Sequence, residues 1–219
     1  MGAKTLLSIG SGPGMSLATA ERFASEGFQI VLSARDAAKT QGLADRLEAK
    51  GHKAEMRTVD AGDPSRVASL VAEVETQFGG IDVLHYNAAS IRKATLAEQP
   101  RDTFNADLAV NIGGALVAAQ AAAPKMSERG SGTILLTGGG FALHPSAEYL
   151  TLSIGKAGIR ALAYGLFDSF KEKGIHVATV TVLPYVYPGT KEAEAVAEFF
   201  WQLHCQPKGS WTVEAQYPA

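Results

Sequence analysis

One feature constrains this chain more than any other. Short apolar runs alternate with longer segments of helical periodicity over most of its length. Residues 5–9, 29–33, 54–59, 81–86, 133–137 and 175–183 read as strands, and 211–215 as a last one. Between the first two, Leu17, Ala20, Phe23 and Ala24 recur at helical spacing, and Gly27 ends the helix. A charged helix to about Lys50 stops at Gly51. Asp63-Pro64 is a helix start, with Asp able to cap and Pro suited to the first turn. Val67, Leu70, Val71, Val74 and Phe78 form its apolar stripe. Helices are further expected over 101–128, 150–173 and 191–204. Repeated β-α-β units with apolar strands imply an α/β protein: a doubly wound parallel sheet of six or seven strands, helices on both faces, three layers in one domain.

Composition narrows the function classes. The 219 residues are 46% hydrophobic and 19% charged, enough for one globular domain with a large core. A net charge of -2 argues against nucleic acid as a partner. The one cysteine, Cys205, makes neither an intrachain disulfide nor a metal cluster, so no metal is expected and a reducing compartment fits. Met1 to Leu6 leads directly into a strand, and Leu6 stands where the Gly2 myristoylation pattern wants Ser or Thr. The apolar run 112–123 is too short for a bilayer. The expectation is a cytoplasmic protein without a membrane partner.

Gly10-Ser11-Gly12-Pro13-Gly14 lies between the first strand and the first helix. Glycines let the backbone turn tightly and approach a pyrophosphate, and the helix start offers free N–H groups. With Met15-Ser16, the stretch resembles the Thr-Gly-x-x-x-Gly-x-Gly fingerprint of the short-chain dehydrogenase/reductases. Ile9 replaces the threonine, Ser16 replaces the third glycine, and Pro13 removes a donor. Val59-Asp60 resembles that family's adenine-contacting aspartate, or caps the next turn. Asn87-Ala88-Ala89 resembles its Asn-Asn-Ala-Gly segment, with Tyr86 in the first asparagine's place. Arg35 follows the second strand, where a cation pairs with a ribose 2′-phosphate; the alternative is a solvated surface arginine. No acid stands at Ala34, which favours NADP over NAD. The implied cofactor set is Gly10, Ser11, Gly12, Pro13, Gly14, Met15, Arg35, Asp60, Ala61, Asn87, Ala88, Ala89, Lys156, Pro184 and Val186.

The resemblance also implies hydride transfer to or from an unknown carbonyl or alcohol substrate. Asn111 matches the family's helix asparagine and Lys156 its catalytic lysine. The tyrosine expected four residues before that lysine is Leu152, and the serine after the fifth strand is Gly139. Neither side chain has a hydroxyl. Tyr149, seven residues before Lys156, would share its helix face if the helix began early. Tyr185, Tyr187 and His144 are the other candidate acids, and each can instead pack or cap a loop. Leu183-Pro184-Tyr185 matches the family's Pro-Gly turn, but the substrate-covering segment after it is nearly gone. The stretches Trp201-Gln202-Leu203-His204 and Trp211-Thr212-Val213-Glu214 look like an atypical subgroup lacking the tyrosine. Three readings follow: an NADP-dependent oxidoreductase with a nonstandard proton donor, a non-catalytic NADP(H)-binding sensor or partner subunit, and a structural protein. The small residues of 109–123 permit either a homo-oligomer, dimer or tetramer, or packing within the chain.

Overall fold

A computed structural model describes residues 3–218. Met1 and Gly2, on which the acylation pattern depends, lie outside the described residues. The strands are β1 (Thr5–Ile9), β2 (Gln29–Ala34), β3 (Ala54–Thr58), β4 (Val83–Tyr86), β5 (Gly132–Thr137), β6 (Ile175–Val182) and β7 (Glu214–Tyr217). They form one sheet in the order β3-β2-β1-β4-β5-β6-β7, with every pairing parallel. The helices are α1 (Met15–Ala24), α2 (Ala37–Glu48), α3 (Pro64–Phe78), α4 (Thr103–Leu108), α5 (Gly114–Arg129), α6 (Leu150–Glu172) and α7 (Lys191–Cys205).

Side-chain alternation along the strands builds a core on each face. On one face Leu6, Ile30 and Leu32 meet Leu17 and Phe23 of α1, Leu47 of α2 and Phe200 of α7. On the other, Leu7, Ile9 and Leu84 meet Val67 and Val71 of α3, Ala118 and Ala122 of α5, and Ile159 of α6. Phe23 and Phe200 are fully buried; each contributes roughly 2–3 kcal/mol relative to exposure. The alanine stripe of α5 is therefore used inside the chain. Asp63 caps α3 as its sequence implies, accepting from the amides of Ser65 and Arg66 at 2.9 and 3.1 Å.

Three elements differ from the sequence expectation. The last strand begins at Glu214, not at 211. Trp211 instead stacks on His176 with ring centroids 4.8 Å apart and donates its indole N–H to the Gln206 carbonyl. The fourth strand begins at Val83, because Asp82 turns its carboxylate onto the Thr5 amide at 2.8 Å. The long helix expected over 101–128 is interrupted by a π-helical turn at Ala109–Gly113. Together Thr103–Arg129 makes a helix long and apolar enough by composition to cross a membrane, longer than the run 112–123 suggested. Its buried residues, Ala115, Ala118, Ala119, Ala122 and Met126, pack into the core.

Candidate functional site

The chain leaves β3, crosses the sheet and re-enters beside β1 as β4. The strand order reverses direction at the carboxyl ends of β1 and β4, the switch point where open α/β sheets bind ligands. A cleft of about 680 Å³ opens there, within the usual range for ligand sites. It runs from Arg35 and Asp60 at the ends of β2 and β3, past Gly10 and Met15, to Lys156.

The glycine turn has a steric cause. Gly10 has φ +86°, and a Cβ there would stand 2.2 Å from the Ala88 amide nitrogen. Only glycine lets the turns after β1 and β4 touch. Ser11 ties the turn down: its hydroxyl donates to the Ser8 carbonyl and accepts from the Ser33 amide. Gly12, Pro13 and Gly14 complete the turn without forming the cleft wall. Gly14 opens α1 without a side-chain cap, whereas α2, α3 and α7 are capped by Asp36, Asp63 and Thr190. Ser16, in the third glycine's place, is buried with its hydroxyl 3.2 Å from that of Ser8.

That pair begins a polar network the sequence reading missed. Ser8 Oγ lies 3.3 Å from His85 Nδ1, and His85 Nε2 lies 3.1 Å from Thr137 Oγ1. Thr137 donates to Asn87 Oδ1, and Asn87 Nδ2 donates to the Gly10 carbonyl. Since the Thr137 proton goes to Asn87, the His85 Nε2–H donates to Thr137 and Nδ1 accepts from Ser8. Burial lowers the His85 pKa to about 3, so the ring is neutral. The available signal was register: Ser8 and His85 pair directly and both interrupt apolar strands.

At the β2 and β3 ends, Arg35 and Asp60 are exposed and line the cleft with Ala34 and Ala61. Arg35 makes no ion pair or hydrogen bond among the described residues. The nearest acid in sequence, Asp36, is engaged by the Lys39 amide. Asp60 accepts from the Gly62 amide, so the turn-capping role is realised. Asn87, Ala88 and Ala89 line the middle of the cleft. Tyr86 is buried and points away, donating to the Val110 carbonyl at 2.6 Å, a group within the π-helical turn. Desolvation, and secondarily Asp60, raises its pKa.

At the far end, Thr137 closes β5 and Gly138 to Phe141 follow it, while Val182 closes β6 and Leu183 to Val186, including Pro184, follow it. Leu152 and Lys156 reach this end from α6. Lys156 Nζ donates to the Thr137 carbonyl at 2.7 Å, and desolvation lowers its pKa to about 8. A Cβ on Gly139 would lie 3.4 Å from the Lys156 methylenes. The lysine stem packs beside the place where a serine side chain would begin.

Asn111 does not line the cleft. It is buried in the π-helical turn, accepting from the Ser90 amide at 2.6 Å and donating to the carbonyls of Ser90 and Thr151. Here it pins the chain after β4 to the start of α6. Tyr149 is not on a helix face shared with Lys156, because α6 begins at Leu150 and Tyr149 precedes it in a non-helical conformation. Its ring stacks on Phe141 at 5.5 Å, outside the cleft wall. Tyr187 is exposed and also off the wall, while His144 and Tyr185 line it.

Comparison with known proteins agrees with this architecture. The model of the short chain dehydrogenase family matches residues 4–197. A relative from Thermotoga maritima, an uncharacterised oxidoreductase, is 26% identical over 178 residues, covering 81% of this chain and 70% of its own. A short-chain dehydrogenase structure from Rhodopseudomonas palustris superposes with a TM-score of 0.89 at 25% identity, covering 99% of this chain and 98% of that one. A metagenomic short-chain oxidoreductase in complex with NADP has the same fold, with a TM-score of 0.89 at 24% identity, covering 97% and 95%. With the family model spanning all but the last part of a sheet of this topology, the chain belongs to the short-chain dehydrogenase family.

Proposed function

We propose that this protein is an NADP(H)-dependent oxidoreductase that interconverts a carbonyl and an alcohol without the hydroxyl acid its family normally uses. One observation carries the reading. A single cleft over the β1/β4 switch point joins a free arginine and a glycine turn at one end to a partly desolvated lysine at the other. The residues fit a dinucleotide. Gly12 has open space where a Cβ would stand, and the first amides of α1 have no side-chain acceptor. Arg35 would hold the 2′-phosphate, Asp60 and Ala61 the adenine side, and Lys156 the nicotinamide ribose. Bound NADPH supplies the hydride. The chain itself orients the reacting groups and shields them with Met15, Leu152 and Val186.

Arg35→Ala tests the cofactor choice. The expected result is at least a tenfold loss of NADPH affinity with NADH affinity nearly unchanged, measured by fluorescence titration. Equal loss for both would remove the 2′-phosphate role. Cytoplasmic placement and a homo-oligomer belong to the same reading. Leu116, Ile154 and Tyr164 are exposed on α5 and α6, and sedimentation would test the assembly.

A non-catalytic NADP(H)-binding role is favoured by one observation: Leu152 and Gly139 set no hydroxyl beside Lys156. Saturable NADPH binding with no oxidation across a broad carbonyl panel would select it.

A further inference from the structure

We infer that the Lys156 ammonium is itself the acid that protonates the substrate oxygen, taking the role of the absent hydroxyls. The inference rests on the oxidoreductase reading above. Its own support is the arrangement at the Lys156 end of the cleft. Lys156 carries three N–H donors, and the structure shows one engaged, on the Thr137 carbonyl. The remaining two serve groups entering the cleft. Leu152 and Gly139 offer no competing donor, and the stem of Lys156 packs beside Gly139.

The surroundings leave the ammonium without a counter-ion. Asp107 of α4 is bound to Arg92, Ser90, Gln99 and Thr151. Glu214 of β7 is bound to Arg160, Tyr164 and Thr181. His85 of β4 is buried and neutral, and Asn111 of the π-helical turn is not titratable. On the turn after β5, His144 is exposed at the cleft wall, and on the turn after β6 so is Tyr185; Arg35 and Asp60 line the opposite end. No carboxylate pairs with Lys156 among the described residues. Desolvation without such a partner brings its pKa to about 8. A general acid works best when its pKa lies near the working pH.

The step balances. The substrate carbon gains a hydride from NADPH, and the C=O π bond breaks onto oxygen. That oxygen takes a proton as an Nζ–H bond breaks. Lys156 is left as a neutral amine and regains its proton from water at the cleft mouth. In the oxidative direction the neutral amine takes the alcohol proton. Reduction should therefore fall, and oxidation rise, as pH increases through about 8.

The test uses the full chain, with 4-nitrobenzaldehyde as the carbonyl probe. Arginine keeps a cation for the ribose but does not release its proton. Lys156→Arg should bind NADPH within a few-fold of the parent yet reduce the probe at least ~100-fold more slowly. Lys156→Met should lose comparable activity. Nζ titration by ¹⁵N NMR, assigned by the signal lost in Lys156→Arg, should give a midpoint near 8 without any cofactor. An ordinary lysine midpoint near 10.5 overturns the inference. So does parent-like reduction by Lys156→Arg, or a parent protein that binds NADPH and reduces nothing. If NADPH does not bind at all, the oxidoreductase reading fails, and the inference fails with it.

Discussion

Single side chains decide both the shape of the cleft and its chemistry. Gly10 is the clearest case. An alanine there would strain a positive φ and drive its Cβ into the Ala88 backbone, which cannot retreat as a flexible side chain would. Gly10→Ala should lose several kcal/mol of stability or all NADPH binding, read by denaturant unfolding and titration. Gly139 is the opposite case. Its Cβ position lies 3.4 Å from flexible lysine methylenes, so Gly139→Ser should be tolerated. Combined with Leu152→Tyr, it restores two hydroxyls beside Lys156. Carbonyl reduction should then rise by roughly 10²-fold; an unchanged rate would show that more than the acid is missing.

His204 carries a pH prediction. Burial lowers its pKa to about 4, below the unfolded value of 6.5, and its Nδ1 lies 2.9 Å from Thr133 Oγ1. The folded state binds this proton more weakly than the unfolded state does. The stability tied to the neutral ring is therefore complete above 6.5 and lost progressively as pH falls toward 4. His85 acts in the same direction, down to about 3. Urea midpoints should drop between neutral pH and about pH 4, and His204→Asn should flatten part of that slope.

At the level of elements, apolar periodicity made most of the fold readable, because a buried parallel strand must be apolar on both faces. Thr5–Ile9 and Pro64–Phe78 occur where the sequence places them, and the helix expected from Leu150 begins there. What was not readable depends on partners far away in the chain. The π-helical turn at Ala109–Gly113 has a carbonyl held by Tyr86 and an asparagine held by Ser90 and Thr151. Local periodicity carries no trace of those contacts. β7 likewise starts late because Trp211 finds His176, 35 positions earlier in the sequence. The glycine turn was legible because its spacing between strand and helix is local in sequence, although the Ala88 contact that demands glycine at position 10 is not. Its link to His85 was not, since a buried histidine in a strand resembles any other until its neighbours are known. Caps are legible too: Asp63→Ala should cost about 1 kcal/mol, measurable by thermal or urea unfolding.

For the whole molecule, the sheet order brings the ends of six strands to one edge, so residues from Gly10 to Val186 share one cleft. The family relation and the topology account for where that cleft lies. The side chains at its Lys156 end set the chemistry proposed for it. Its occupancy by a pyridine nucleotide is the claim on which the rest depends. Calorimetric titration of the unmodified protein with NADPH tests it most directly. The account predicts saturable one-to-one binding, tighter for NADPH than for NADH. A flat titration with both would contradict it.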